Sequence, residues 1–335
     1  MTRRLLTVPA VLLLATLLTT SAPLWLPLAA LVSLVPATRG ALRMLLFMTA
    51  YLWCETVGIL GSAWLWLRHA APARGGARWP AFVAGNVVLQ HWWAHSLKRA
   101  AEHIFDLRFH VDGEAALAGP PALVMPRHTS IGDTVVPIVW YAMVRGFSLR
   151  YVLKKELQFD PSLDIVGNRL PNRFVDRESD DPASEIAGVA TLLEGLAAHE
   201  GVVIYPEGTR FTPAKRAQIL ARYRARGDAE ALARAERWPN LLPPRLGGSL
   251  ALLAANPGLD VLFIAHSGFE GSARMHDLVN GAWAHSDMRI RFWRVPFAEV
   301  PKDEAGARAF LFAQWDRMAR EVAALEALNR SGREA

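Results

Sequence analysis

Two long apolar runs open the chain. Leu5 to Val35 is interrupted by Thr19-Thr20-Ser21 and Pro23, and Leu42 to Leu67 carries Glu55, Gly58 and Gly61. Each exceeds the roughly 20 residues that cross a hydrocarbon core as a helix. The pattern therefore predicts two membrane crossings joined by Pro36 to Ala41. A cleaved leader fits the first run poorly, because its apolar part is too long and a second run follows directly. Glu55 is costly against lipid and is expected to face the other helix or water. After a Pro/Gly/Arg linker, Ala71 to Arg78, the stretch Trp79 to Phe105 reads as an amphipathic helix. Its Trp79, Phe82, Trp92, Trp93, Lys98 and Arg99 suit a membrane interface.

Beyond that helix the pattern changes to short apolar strands alternating with helices. Strands are expected at Phe109–Val111, Ala122–Met125, Leu149–Leu153, Phe174–Val175, Val202–Tyr205, Val261–Ala265 and Met288–Trp293. Helices are expected at Val135–Val144, Ser184–His199, Ala214–Trp238 with a break at Gly227, Leu250–Ala255 and Ala305–Leu328. This alternation predicts an α/β sandwich. The expected organisation is anchoring helices over 1–70, a linker and interfacial helix over 71–110, and an α/β domain over 111–335.

Composition narrows the partners. The chain has 335 residues, 52% of them hydrophobic, with 12 Trp and a formal net charge of +6. Such a charge suits nucleic acid, an anionic membrane or a phosphorylated substrate. No nucleic-acid module is visible, and the basic residues adjoin apolar segments, so membrane lipids and phosphate are the better readings. Arg3 and Arg4 precede the first run, and Arg68, Arg74 and Arg78 follow the second. That bias predicts a cytoplasmic-membrane protein whose α/β domain faces the cytoplasm, although Arg39 and Arg43 in the connection pull the other way. The single cysteine, Cys54, excludes an intramolecular disulfide and a cysteine metal cluster.

Two stretches carry chemistry. Arg127-His128-Thr129-Ser130-Ile131-Gly132-Asp133-Thr134 sits between a strand and a helix, where α/β ligands bind. A neutral His128 can take a proton from an attacking hydroxyl, while Asp133 fixes its tautomer and stabilises the imidazolium. The blander reading is that Thr129, Ser130 and Asp133 simply cap a helix. The second stretch, Val202 to Arg210, is a strand ending in a turn with Glu207 and Arg210, which could also just bridge each other. His91 and His95 share a helix face, but no third ligand is near, and no metal is expected. Gly247-Gly248-Ser249-Leu250-Ala251 comes near a serine-hydrolase elbow, yet no strand precedes it.

Together and in this order, the two stretches resemble the membrane-bound glycerolipid acyltransferases typified by 1-acylglycerol-3-phosphate acyltransferase. That family's His-x4-Asp is matched by His128 and Asp133, and its Pro-Glu-Gly-Thr-Arg by Pro206 to Arg210. Its Lys-Lys-Glu-Leu is matched at Lys154 to Leu157. Its Gly-x-x-Phe-Ile-Asp-Arg here reads Pro171-Asn172-Arg173-Phe174-Val175-Asp176-Arg177. The resemblance covers roughly residues 80 to 300. It implies a mixed sheet flanked by helices, preceded by an N-terminal membrane helical hairpin. It also implies a general-base pair of His128 and Asp133, with acceptor binding by Glu207, Gly208, Thr209, Arg210, Arg177 and Lys154. The donor would be an acyl-coenzyme A or acyl carrier protein thioester, with no further cofactor. Departures at Arg127 (for asparagine), at Pro171 (for glycine) and at Phe263-Ile264-Ala265-His266-Ser267 (for a proline-containing strand) leave the acceptor open. Lysophosphatidate is the default and another lysophospholipid the alternative. A non-catalytic, membrane-anchored lipid binder is the reading from another class.

Overall fold

The computed structural model describes residues 2–69, 79–176, 181–272 and 275–334. Its helices and strands run, in chain order, α1 (Thr2–Thr20), α2 (Ala22–Val32), α3 (Ala41–Arg68), α4 (Trp79–Phe105), β1 (Arg108–Asp112), β2 (Leu123–Pro126), α5 (Met143–Arg145), β3 (Ser148–Lys154), α6 (Pro161–Gly167), β4 (Arg173–Val175) and α7 (Pro182–Ala190). There follow β5 (Glu200–Val203), α8 (Pro213–Ala225), α9 (Ala229–Glu236), α10 (Leu246–Ala254), β6 (Val261–Ser267), α11 (Met275–Val279), β7 (Asp287–Val295) and α12 (Glu304–Glu334). The chain forms two compact units. One comprises Met1–Leu107, Leu153–Glu178 and Met275–His285; the other comprises Arg108–Val152, Ser179–Arg274 and Ser286–Ala335.

In the first unit, segments Arg3–Thr20 and Pro36–Arg68 are long and apolar enough to cross a membrane, by length and composition. The first apolar run is not one helix, as its length suggested, but α1 and α2 meeting at Ser21. The Ser21 hydroxyl folds back onto the Leu17 carbonyl at 2.6 Å, and Pro23 stands in the first turn of α2, where a missing N–H costs nothing. Leu5, Leu6, Leu24 and Leu31 are exposed along these helices. Glu55 of α3 is fully buried and turns to α4 and α6 rather than to the first run. The Trp93 indole donates to it at 2.7 Å and the Ser162 N–H at 3.1 Å. Arg3 and Arg4, at the start of α1, pair with the buried Asp164 of α6 at 2.6 and 2.7 Å. The expected linker over 71–78 lies outside the described residues.

The second unit is built on a mixed sheet flanked by helices, with strand order β1-β7-β6-β2-β5-β3. β2 lies parallel to β5 on one side, with Leu123 opposite Val202, and parallel to β6 on the other, with Val124 opposite Leu262. β6 and β7 are antiparallel. Every residue of β2 is buried, as expected of a parallel strand covered on both faces. Leu311, Trp315, Met318, Val322 and Leu325 are buried on α12, four and three residues apart, and form the stripe that packs on β6 and β7.

Three helices differ from the sequence pattern for identifiable reasons. Val135–Val144 becomes a 3-10 turn (Gly132–Val135), a π turn (Pro137–Ala142) and α5. Pro137 has no N–H for the Asp133 carbonyl, which accepts from Val136 instead. The helix expected to reach His199 stops at Ala190, with one further turn at Thr191–Leu193. Beyond it, the Arg150 guanidinium from β3 takes the carbonyls of Leu192, Glu194 and Gly195 at 3.1, 2.7 and 2.8 Å. The third helix begins at Leu246, not Leu250, so Ser249 lies buried in a helical first turn and presents no elbow. The break between α8 and α9 falls at Gly227, whose φ of +69° suits glycine.

Candidate active site

β2 and β5 are parallel neighbours, so their carboxyl ends deliver two loops to the same side of the sheet. The loop after β2 brings His128 and Asp133, and the loop after β5 brings Glu207 through Arg210. The two are stitched together through the backbone of His128. Its N–H donates to Glu207 Oε1 at 2.8 Å, and its carbonyl accepts from the Phe211 N–H at 2.7 Å.

The side chains of the first loop form a directed pair. His128 Nδ1 lies 2.8 Å from Asp133 Oδ1, and the His128 ring sits 4.6 Å from the Tyr205 ring. Asp133 Oδ2 accepts from the N–H groups of Thr129 and Ser130 at 2.5 and 2.8 Å. Burial alone would raise the Asp133 pKa. The charge and hydrogen bond of His128, the neighbouring His266 and the Ser130 N–H outweigh it and hold the carboxyl below its ordinary range. An ionised Asp133 accepts the Nδ1 proton and leaves the Nε2 lone pair of His128 for a substrate. The His128 side chain is 16% exposed and that of Asp133 is fully covered, so the imidazole alone meets solvent. Such a pair can act as a general base.

Glu207 is buried and does not bridge to Arg210. Its second oxygen accepts from the Leu242 N–H at 2.8 Å, so the carboxylate fastens three chain segments together. Burial pushes its pKa up to about 7, against the lowering effects of the Leu242 N–H, Arg127 and the His128 N–H. Gly208 turns the loop with φ +67°. Thr209 Oγ1 accepts from Lys215 Nζ at 2.8 Å, and the same ammonium donates to the Arg210 carbonyl at 3.0 Å. Arg210 is exposed. Lys154 belongs to the first unit and pairs with Glu156 at 2.8 Å. Arg177 lies outside the described residues.

Two residues behind the site were noticed in sequence only as departures from a family pattern. Arg127 is fully buried, and its guanidinium donates to the His266 carbonyl at 2.6 Å, to Glu270 Oε1 at 2.5 Å and to the Asn240 carbonyl at 2.8 Å. Burial would raise the Glu270 pKa, but Arg127 and His266 outweigh it and lower it. His266 Nε2 donates to the Arg127 carbonyl at 3.0 Å and lies 3.5 Å from Asp133 Oδ2. Burial pulls the His266 pKa down, against the opposing charge of Asp133, and the ring is a second neighbour of that carboxylate. The only sequence signal for either was a charged or titratable residue at the end of an apolar strand. Among the described residues, no group of three or more His, Cys, Asp or Glu is arranged to hold a metal ion.

Comparison with known proteins adds to this geometry. Residues 108–232, which include His128, Asp133 and Glu207 through Arg210, match the family model described as Acyltransferase. No curated protein sequence matches the chain. A solved structure, the 1-acyl-sn-glycerophosphate (LPA) acyltransferase PlsC from Thermotoga maritima, matches with a TM-score of 0.53 at 14% identity. The match covers 84% of this chain and 97% of that one. At that identity the likeness is one of fold.

Proposed function

We propose that this acyltransferase moves a fatty acyl group from an acyl thioester to the free hydroxyl of a lysophospholipid, with His128 as general base. The observation that carries the reading is the pair of His128 Nδ1 and Asp133 Oδ1 at 2.8 Å, with the imidazole edge open and the His128 backbone held at both N–H and carbonyl.

His128 Nε2 takes the proton of the acceptor hydroxyl as that oxygen attacks the thioester carbonyl. Asp133 stabilises the imidazolium that results. The C–S bond then breaks, and the imidazolium returns its proton to the departing sulfur. The products are an ester and a free thiol, without an acyl-enzyme. A thioester is already activated, so positioning and proton transfer are the main demands on the protein. Arg210, exposed on the joined loop, supplies a guanidinium for the acceptor's phosphate.

The acceptor we favour is 1-acyl-sn-glycerol-3-phosphate, giving phosphatidate. The matched structure is of a protein whose name specifies that substrate class, and the positive charge on the loop suits it. The two long apolar helices would anchor the chain in the cytoplasmic membrane, with the α/β unit facing the cytoplasm.

The test incubates detergent-solubilised full-length protein with acyl-coenzyme A or acyl carrier protein thioesters and a panel of lysophospholipids, beside H128A. Product from the wild type alone, greatest with lysophosphatidate, supports mechanism and acceptor together. Product from a different lysolipid keeps the mechanism and changes the acceptor. No transfer to any acceptor, with lipid binding intact in H128A, leaves a non-catalytic lipid binder.

A further inference from the structure

We propose that Arg245 is a second contact for the acceptor's phosphate, closing over Gly208 to face the same anion as Arg210. The assignment deepens the reading of a phosphate-bearing acceptor and rests on it. Arg245 lies between Leu242-Pro243-Pro244 and α10, in a segment with no strand or helix pattern of its own.

Its backbone belongs to the site. The Arg245 N–H donates to the Pro206 carbonyl at 2.7 Å, one residue before Glu207. Three residues earlier, the Leu242 N–H holds Glu207 Oε2. The side chain then runs across the loop. A Cβ on Gly208 would stand 2.5 Å from Arg245 Cδ and 2.9 Å from its Nε. The positive φ favours glycine at 208, and any side chain there would displace that of Arg245.

The charge balance around this loop points to an anion. Arg245 and Arg210 are both exposed, and neither guanidinium has a hydrogen bond or ion pair among the described residues. On and beside α8 and α9, Arg224 pairs with Glu236, Arg234 with Glu230, Arg237 with Asp316 and Arg216 with the carbonyl of Trp238, while Arg222 and Arg226 are exposed without a side-chain partner among the described residues but do not flank Gly208 in sequence or touch it. Glu207, the loop's own carboxylate, faces inward and is occupied by two backbone N–H groups. Lys215 adds a third positive charge at Thr209 and Arg210. A guanidinium on the Gly208 turn and a second whose side chain runs across that glycine suit a terminal phosphate monoester, which offers several oxygens to planar N–H donors.

Two readouts test the assignment, using the full-length protein in detergent. The first is KM for lysophosphatidate and for the acyl thioester in wild type, R245Q and R245K. The second is calorimetric binding of glycerol 3-phosphate, which needs no turnover. Loss of one charged hydrogen bond predicts about a tenfold rise in acceptor KM and in the glycerol 3-phosphate Kd for R245Q. R245K should recover part of both, and thioester KM and thermal stability should stay unchanged. R224A, which removes a paired arginine, serves as the control. The assignment is overturned if R245Q binds glycerol 3-phosphate as the wild type does, if the wild type does not bind it, or if acceptor KM is unmoved. If Arg245-dependent binding appears but no lysophospholipid is acylated, the proposed reaction fails while this contact stands.

Discussion

Glu207 holds His128 by its backbone, with Oε1 accepting the His128 N–H at 2.8 Å while Oε2 accepts the Leu242 N–H at the same distance. A glutamate that sequence alone places among substrate contacts is thereby a buried clamp on the proposed base. Glu207→Gln replaces one acceptor oxygen with an NH2 donor, leaving one of those N–H groups opposed. The expected loss is about 1–3 kcal/mol of stability, read as a lower denaturation midpoint, with a fall in kcat that exceeds any rise in acceptor KM.

The same carboxyl gives stability a pH dependence. Burial pushes Glu207 up to about 7 from an ordinary 4.5. Between those values the folded chain holds a proton that the unfolded chain has released, so stability from this group falls as pH rises through that window. Denaturation midpoints measured from pH 4.5 to 7 should lose that component in E207Q. An unchanged slope would refute it.

For the base pair, His128→Ala should lower kcat by about 10²–10⁴ and also cost stability, since it takes from the buried Asp133 the imidazole that does most to hold its carboxyl low. Asp133→Asn should lower kcat as well, because an amide cannot favour the imidazolium. It should also cost stability, because Asp133 is held below its ordinary range. That contribution is present above the unfolded carboxylate's pKa and is lost as pH falls through the folded value. A flatter acid limb in D133N denaturation checks the sign.

Arg127→Met should be among the more destabilising changes. It leaves Glu270 without its cation and the carbonyls of His266 and Asn240 without a donor. Glu270 is part-exposed and its charge is screened by solvent, so the expected loss of about 1–3 kcal/mol comes mainly from the buried carbonyls left without a donor. The double variant R127M/E270Q should recover part of that loss by thermal unfolding, and simple addition of the two effects would count against a coupled pair.

Gly208→Ala should be poorly tolerated because of its φ of +67°, and the added Cβ, 2.5 Å from the present position of Arg245 Cδ, would also push that side chain aside. The left-handed backbone alone costs an alanine about 1–2 kcal/mol. R245A should relieve the contact, so G208A/R245A is expected to be more stable than G208A.

Local relationships were legible in the chain itself. The pair of His128 and Asp133 lies within one turn, and the strand before it is apolar because neighbours cover it on both faces. The helix Trp79–Phe105 and the break at Gly227 likewise follow from nearby residues, through periodicity and backbone freedom. Relationships set by distant partners were not legible. Arg127 finds its partners at Asn240, His266 and Glu270, Arg150 ends a helix that begins beyond β4, and Glu207 turns inward only because β2 and β5 pair in register. The chain determined which residues could carry acyl-transfer chemistry, since residue type and close spacing are intrinsic to it. Tertiary structure decided which of them face substrate and which hold the others in place, because burial and non-local pairing exist only once the strands have assembled.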